Sequence, residues 1–383
     1  MARREGSITQ RSKGSWQIRY YGPPDSSGKR TQVNETVLGA KKAAEGILRE
    51  RLTSIENGGY VPRDKETVAG FLERWLNTYA ATNTTLRTQE GYQGNIHRYI
   101  DPAIGAVPIQ TLTARHIQAM YAGMLRRGLS NQTALHTHRV LRKAMADGVK
   151  WGVLSRNVAD AATPPRPERK PVVSWDEETV YQFLDAAQDS RFYGLYQLAL
   201  FTGMRRSELC GLKWENVNLA AGRLSVVSTL QRIPGKGLIE GLPKTPRSRR
   251  SISLGPKAVD MLHTFRGQQM EYQLAAGPLW QYLGFVFTQS DGTPADPESV
   301  SKDFCIIVRK ARLPHLTLHG LRHVHATQLM AGGLNPKVVS ERLGHSNIAV
   351  TMDTYSHVLP GLQEEAALVI EERLFRRRRP AMK

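Results

Sequence analysis

Cysteine is scarce in this chain: Cys210 and Cys305 are the only two in 383 residues. That excludes a disulfide framework and a cysteine-based zinc module, and it points to a reducing compartment, the cytoplasm. Long apolar runs are missing too. No eighteen consecutive apolar residues occur and the mean hydropathy is −0.41, so no membrane-spanning helix is expected. The opening MARREGSITQRSKGSW has basic residues with no apolar stretch behind them, which does not fit a secretory signal. There is no GxxxxGKS or GxxxxGKT phosphate loop, so nucleotide hydrolysis is not indicated, and no internal repeat. Acidic residues are in deficit as well. Against 34 Asp and Glu stand 53 Lys and Arg, giving a net charge of +19. A surplus of that size, spread over every segment, favours a polyanionic partner and speeds encounter with it.

What is present reads as a mainly α chain with small antiparallel β-sheets, an α+β organisation in several domains. Residues 14–33 predict a β-hairpin. Trp16, Ile18 and Tyr20 alternate with Gln17 and Arg19, and the turn formers GPPDSSG separate the strands. One strand face is then apolar and the other is open to a ligand. A helix follows from about Ala40 to Glu56, with Ala44, Ile47, Leu48, Leu52 and Ile55 on one side and Gly58 past its end. NGGYVPRDKE reads as a linker. Val68, Phe71, Leu72, Trp75, Leu76 and Tyr79 then recur at helical spacing, and further helices are expected near 86–99, 113–127 and 131–151. Arg87, Arg98, Arg139, Arg142 and Lys143 make parts of this all-α unit basic. ATPPRPERKPVVSW, with four prolines, reads as a second linker. The last domain opens with a helix that Ser174 would cap and Glu177 would close as capping-box partner. A strand region from about Arg223 to Leu254 places RLSVVSTLQR and SRRSISL on either side of a Gly/Pro-rich turn, PGKGLIEGLP. A tail helix carries Leu362, Ala366, Val369, Ile370 and Leu374 on one face and ends in Arg376 to Arg379.

Within that last domain six polar residues stand apart: Arg205, Lys244, His319, Arg322, His345 and Tyr355. Planar guanidinium groups match the charge that a phosphoryl-transfer transition state spreads over its non-bridging oxygens. Arg205 follows LALFTGM, a helix-then-turn signal, and Glu208 comes three residues later. Arg322 lies three residues after His319, on the same helix face. His345 falls just past a short helix with Asn335 as N-cap, Pro336 as first residue and Gly344 as stop. Tyr355 would be a nucleophile if cations and a base assist its phenol, whose reference pKa is about 10. Lys244 would deliver a proton to a leaving alkoxide, with Lys236, Arg247 and Arg249 as rivals. Other readings stay open on the residues alone. Arg205 and Glu208 fit a plain helix-surface pair. His319, His323 and His325 have zinc-like spacing, but HGLRH lacks the glutamate of HExxH and no Cys or carboxylate cluster stands nearby.

Taken in order, TGMRRSEL, K-T before a basic strand, HGLRH, LGHS and a tyrosine ten residues on resemble the tyrosine recombinases, or phage-type integrases. The resemblance spans about residues 174–360. It implies that Arg205 and Arg322 clamp a scissile phosphate and that Lys244 acts as general acid for the 5′-hydroxyl. His319 would assist proton transfer, His345 would hydrogen-bond the phosphate, and Tyr355 would form a 3′-phosphotyrosyl link. No metal and no cofactor are expected. It further implies an arm-type DNA-binding domain at 1–60, a helical core-site-binding domain at 66–160, a linker at 161–173 and a catalytic domain at 174–383. The protein would act as a homotetramer on double-stranded DNA, with DNA-bending and directionality proteins as helpers, in the cytoplasm on the nucleoid. Trp16, Arg19, Arg87, Arg139, Lys143 and Arg247 are the residues expected to touch DNA. One departure is Gly320, where this family often has Asp. Two other functions remain open: a DNA-binding regulator that kept the fold without catalysis, and a type IB topoisomerase-like nicking-closing enzyme.

Overall fold

The computed structural model describes residues 6–24, 27–62, 64–168, 174–243, 248–345 and 347–355, together with Ala367, Leu368, Ile370, Glu371 and Leu374; at 350 and 353–355 it describes the backbone alone. Lys244, Arg247, most of the linker's end and most of the tail helix's predicted apolar face lie outside the described residues. The chain divides into two compact units, Met1–Arg169 and Lys170–Lys383.

The first unit opens with β1 (Ser7–Ser12), β2 (Ser15–Pro24) and β3 (Arg30–Leu38), an antiparallel sheet in that order, followed by α1 (Lys41–Glu56). The expected hairpin is thus a three-stranded sheet. SITQRS gave no strand signal because it is an almost wholly exposed edge without apolar alternation, and pairing with β2 alone holds it. Ile18 and Tyr20 turn to one face and bury against Val37, Ala44 and Leu48, while Arg19 stays on the open face. Inside this small core the Tyr20 hydroxyl donates to the buried Glu35 carboxylate, which also pairs with Arg51.

A separate apolar core gathers the helical part. Here α2 (Val68–Trp75) runs through a π-helical turn, Leu76–Ala80, into α3 (Ala81–Asn83); α4 (Leu86–Asn95) does the same through Ile96–Ile100 into α5 (Asp101–Ile104). The predicted break DPAIGAVPI is therefore partly helical. α6 (Ala114–Arg126) and α7 (Asn131–Lys150) follow. Side chains of Thr67, Thr85, Thr113 and Ser130 accept backbone N–H groups at the starts of α2, α4, α6 and α7, which fixes where each helix begins.

The second unit starts with α8 (Glu177–Ala186), α9 (Tyr193–Thr202) and α10 (Arg206–Cys210). Asp176, not Ser174, caps α8: its carboxylate accepts from Thr179 N at 2.9 Å. Trp175 is instead drawn into the core beside Phe183 and Phe304. β4 (Val217–Asn218), β5 (Arg223–Val226) and β8 (Arg250–Ser253) form one antiparallel sheet, and β6 (Thr229–Ile233) pairs with β7 (Gly237–Gly241). Much of the predicted turn PGKGLIEGLP is therefore strand, with the reversal confined to 234–236. α11 (Pro256–Ala276), α12 (Pro297–Lys310), α13 (Gly320–Ala331), α14 (Pro336–Leu343) and α15 (Ile348–Tyr355) complete the described elements. No helix among the described residues is long and apolar enough to cross a membrane.

Candidate active site

The site is organised around the C-terminal end of α14. Its start is as the sequence predicts: the Asn335 side chain accepts from Lys337 N at 2.8 Å and Pro336 occupies the first turn. Its end is a Schellman turn. Gly344, at φ +67°, takes the left-handed conformation, Gly344 N donates to Glu341 O and His345 N donates to Ser340 O, each at 3.0 Å. A helix end leaves carbonyls without intrahelical donors and concentrates partial negative charge. Here three arginines meet those carbonyls. Arg250 Nε donates to Arg342 O at 2.7 Å, Arg322 Nη2 to Leu343 O at 2.7 Å, and Arg205 Nη2 to Gly344 O at 3.3 Å. Charge-assisted bonds of this kind contribute roughly 1.5–3 kcal/mol each. The direction in which the chain leaves toward His345 is set by them.

Each arginine is also held from behind. Arg322 is buried, and its Nη1 donates to Gly203 O at 2.7 Å. Gly203 ends α9 at φ +64°, and a Cβ there would lie 2.6 Å from the His325 ring and 2.7 Å from Leu343, so only glycine permits this approach. Arg205 sits at the N-cap position of α10, where its backbone N–H and its Nη1 both donate to Glu208, at 2.9 and 2.8 Å. Glu208 is 2% exposed, so this is not the helix-surface pair left open by the sequence. Arg250 supplies the second cation to the same carboxylate, at 2.9 and 3.2 Å. Burial alone would raise the Glu208 carboxyl, but the Arg250 guanidinium, then Arg205, outweighs it and holds the group below its ordinary range.

The histidines lie within this cationic field. His319 immediately precedes α13, and its ring stands perpendicular to that of His323 with centroids 5.2 Å apart. It keeps an exposed edge, yet enclosure by protein, followed by His323, Arg322 and Arg205, pulls it down to about 4. His345 is lowered to about 4 by burial first and then by Arg322 and Arg205. Its Nδ1 is 2.8 Å from the Oγ1 of the buried Thr351 on α15. Both imidazoles are therefore neutral at neutral pH and able to accept a proton as well as donate a hydrogen bond. His325 has a different task. Its Nδ1–H donates to Leu200 O at 2.7 Å, and its Nε2 accepts from Arg342 Nε at 3.2 Å, so both ring nitrogens are committed to the protein. No group of three or more His, Cys, Asp or Glu side chains able to hold a metal occurs among the described residues.

Of the six residues singled out in the sequence, Arg205, His319, Arg322 and His345 come together. Tyr355 closes α15 one helical turn after Thr351, and Lys244 lies outside the described residues. Glu208, Arg250 and Thr351 join the site and were not predicted as members. Glu208 had a signal, its spacing from Arg205. Arg250 had none to distinguish it from its neighbours in SRRSI.

The residues expected on DNA divide. Arg19 projects from the open face of the N-terminal sheet, whereas Trp16 is on the other face, half-buried, with its indole N–H donating to Gly39 O at 3.1 Å. Arg87 is exposed and pairs with Glu90. Arg139 borders a shallow groove along α7 with Arg142 and Lys150. Lys143 lines the same groove, but its ammonium is bound to Asp147 at 2.7 and 2.8 Å and lies 4.0 Å over the Tyr79 ring, a structural engagement.

Known proteins resemble this chain in both sequence and fold. Residues 174–361 match the phage integrase family, and residues 67–125 match a phage integrase N-terminal SAM-like domain. A tyrosine recombinase XerC-like protein of Caldanaerobacter subterraneus subsp. tengcongensis is 30% identical over 352 residues, covering 87% of this chain and 90% of the relative. The ICEBs1 integrase of Bacillus subtilis is 26% identical, covering 73% of this chain and 76% of its own length. Among solved structures, the Tn1549 transposon integrase in complex with transposon right end DNA superposes with a TM-score of 0.68 at 23% identity, over 81% of this chain and 99% of that one. The lambda integrase tetramer bound to a Holliday junction gives 0.58 at 18% identity, over 91% and 94%. The chain belongs to the phage integrase family of tyrosine recombinases.

Proposed function

We propose that this recombinase cuts and rejoins double-stranded DNA at attachment sites of a mobile element, through a 3′-phosphotyrosyl intermediate and a Holliday junction. The observation that carries the reading is the convergence of two guanidiniums, Arg205 and Arg322, and two neutral imidazoles, His319 and His345, at one helix end. The arginines bind the non-bridging oxygens of the scissile phosphate and stabilise the charge that develops there. Tyr355 Oη attacks phosphorus, His319 takes up the phenolic proton, and His345 donates a hydrogen bond to the phosphate. The P–O5′ bond breaks, and Lys244 protonates the leaving 5′-oxygen. The phosphotyrosyl bond conserves the energy of the broken phosphodiester, so a 5′-hydroxyl from another strand reseals it without an external energy source.

The separate apolar cores support a division of labour. Residues 1–60 read arm-type sites with the open face of the sheet. Residues 66–160 hold core-site DNA with the basic side of α7, 161–173 link the units, and 174–383 carry the chemistry. Four copies assemble on the DNA in the cytoplasm, on the nucleoid, assisted by DNA-bending and directionality proteins.

A denaturing gel of protein mixed with a nicked suicide duplex bearing the attachment core tests this. Wild type is expected to give a slow covalent adduct and Tyr355→Phe none, with equal binding. An adduct in the Tyr355→Phe protein would move the nucleophile elsewhere. Tight binding without an adduct in either protein would favour a non-catalytic regulator.

A further inference from the structure

Three segments of the catalytic unit meet in one guanidinium that touches none of the groups assigned to the phosphate. Arg250 is the first residue of β8, and its side chain is 7% exposed. Nε donates to Arg342 O at 2.7 Å, at the end of α14 and three residues before His345. Nη1 also donates to Ser248 O at 3.0 Å, two residues earlier, which steadies the guanidinium on its own strand. Nη1 and Nη2 fork onto the two oxygens of Glu208, the carboxylate that holds Arg205. The turn of His345 and the cap of Arg205 are thereby bound to a single rigid plane.

The charges give this arrangement a second consequence. Glu208 is a buried anion in direct contact with Arg205. With Arg205 as its only cation, the pair would be close to neutral, and a phosphate would meet little attraction there. Arg250 makes the cluster two cations and one anion, restoring a net positive charge. The bidentate fork is also what keeps each Glu208 oxygen facing both arginines, a geometry an ammonium does not reproduce.

We propose that Arg250 is a positioning residue for strand cleavage: it offsets Glu208 so that Arg205 keeps its charge for the phosphate, and it sets the relative placement of Arg205 and His345. This rests on the reading of Arg205 and His345 as phosphate ligands. Arg250 does not itself touch the phosphate, because its donors are directed into the protein.

The test measures single-turnover adduct formation on the nicked suicide duplex, with DNA affinity and melting temperature measured on the same full-length proteins. Arg250→Lys is expected to slow cleavage by about 10–100-fold, the usual scale for groups that orient a ligand from behind, while affinity and melting stay near wild type. Arg250→Met should be slower still. Combining Arg250→Met with Glu208→Gln should recover part of the rate, since the anion that needed offsetting is gone. That recovery is what a purely structural role does not produce. Wild-type cleavage in Arg250→Lys would overturn the proposal. So would a double variant no faster than Arg250→Met, or rates that simply track melting temperature across the series. Failure of the wild-type protein itself to form an adduct would instead sink the underlying reading of the site.

Discussion

The guanidinium of Arg205 donates to the carbonyl of Gly344, 139 residues further along the chain, and the next residue is His345. One bond thus couples the cap of α10 to the turn that aims a site histidine. Arg322 makes the neighbouring bond to Leu343 O while gripping Gly203 O with its other amino group. The site is less a row of side chains facing a substrate than a helix end held by three cations. Its tolerance to change follows from that.

Gly203→Ala should be among the most damaging single-methyl changes. The residue needs φ +64°, and the added Cβ would meet His325 and Leu343 at 2.6 and 2.7 Å. The left-handed backbone costs roughly 1–2 kcal/mol and overpacking roughly 1–3 more. Urea denaturation should show a loss of about 2–5 kcal/mol, and cleavage should fall with it, because Gly203 O anchors Arg322. A variant as stable as wild type would show that the loop relaxes and that the anchor is dispensable.

Stability should decline on acidification through a defined window. His325 is lowered to about 4 in the folded protein, by burial first and then by Arg342. The unfolded chain has the ordinary histidine value of about 6.5 and so binds more protons between about pH 6.5 and 4. The native state therefore loses stability as pH falls through that range, by up to about 1.4 kcal/mol per pH unit for this one group. Denaturation at pH 7, 6 and 5 checks the slope. For catalysis, His319 and His345 are lowered in the same way, so cleavage should show no titration from them between pH 6 and 8. A nuclear magnetic resonance titration placing either ring near 6.5 would contradict this.

Lys143 and Arg139 should separate stability from binding. Lys143 neutralises Asp147, which is 3% exposed and also accepts from the Trp75 indole at 2.9 Å. Lys143→Met should cost about 1–3 kcal/mol of stability by leaving that carboxylate with the indole alone. Arg139→Ala should leave stability unchanged, weaken DNA binding across sequences and lower the salt-dependence slope by about one. If Lys143→Met lost affinity without stability, the lysine would belong to the DNA contact after all.

Gly320→Asp, which installs the acid common in this family, should destabilise this chain. A Cβ at 320 would lie 2.3–2.9 Å from the Leu316 side chain, which fills the space. The expected cost is about 1–3 kcal/mol. Added to Leu316→Ala, the same substitution should cost less, and a double-mutant cycle by urea denaturation measures the difference. Equal costs in both backgrounds would exclude Leu316 as the reason glycine is needed here.

Particular residues mark what could be read in advance. Helices with strong apolar periodicity, such as α2 with Val68, Phe71, Leu72 and Trp75, were legible because one buried face imposes its period on the sequence. So was α14, bounded by Asn335, Pro336 and Gly344, since its caps act within a few residues. β1 was not legible, because an exposed edge strand takes its structure from its partner. Local signals favour Ser174 as the cap of α8, whereas Asp176 holds it, because Trp175 packs into a core that the local string does not announce. Lys143 and Trp16 are DNA contacts by sequence, yet their donors are claimed within the protein: Lys143 by Asp147, one turn along α7 and buried beside Trp75, and Trp16 by the carbonyl of Gly39, 23 residues on.

By itself the sequence determined the class of protein and singled out four residues that the fold brings together: Arg205, His319, Arg322 and His345. Residue type and local spacing are enough for that, since they record which chemistry and which turns are available. Only the tertiary structure decided that Glu208 is buried between two arginines, that Arg250 rather than its neighbours in SRRSI supplies the second, and that α14 ends on three guanidiniums. Those facts depend on segments tens to more than a hundred residues apart sharing one desolvated point. There, an unpaired charge is too costly to leave and every donor must find an acceptor.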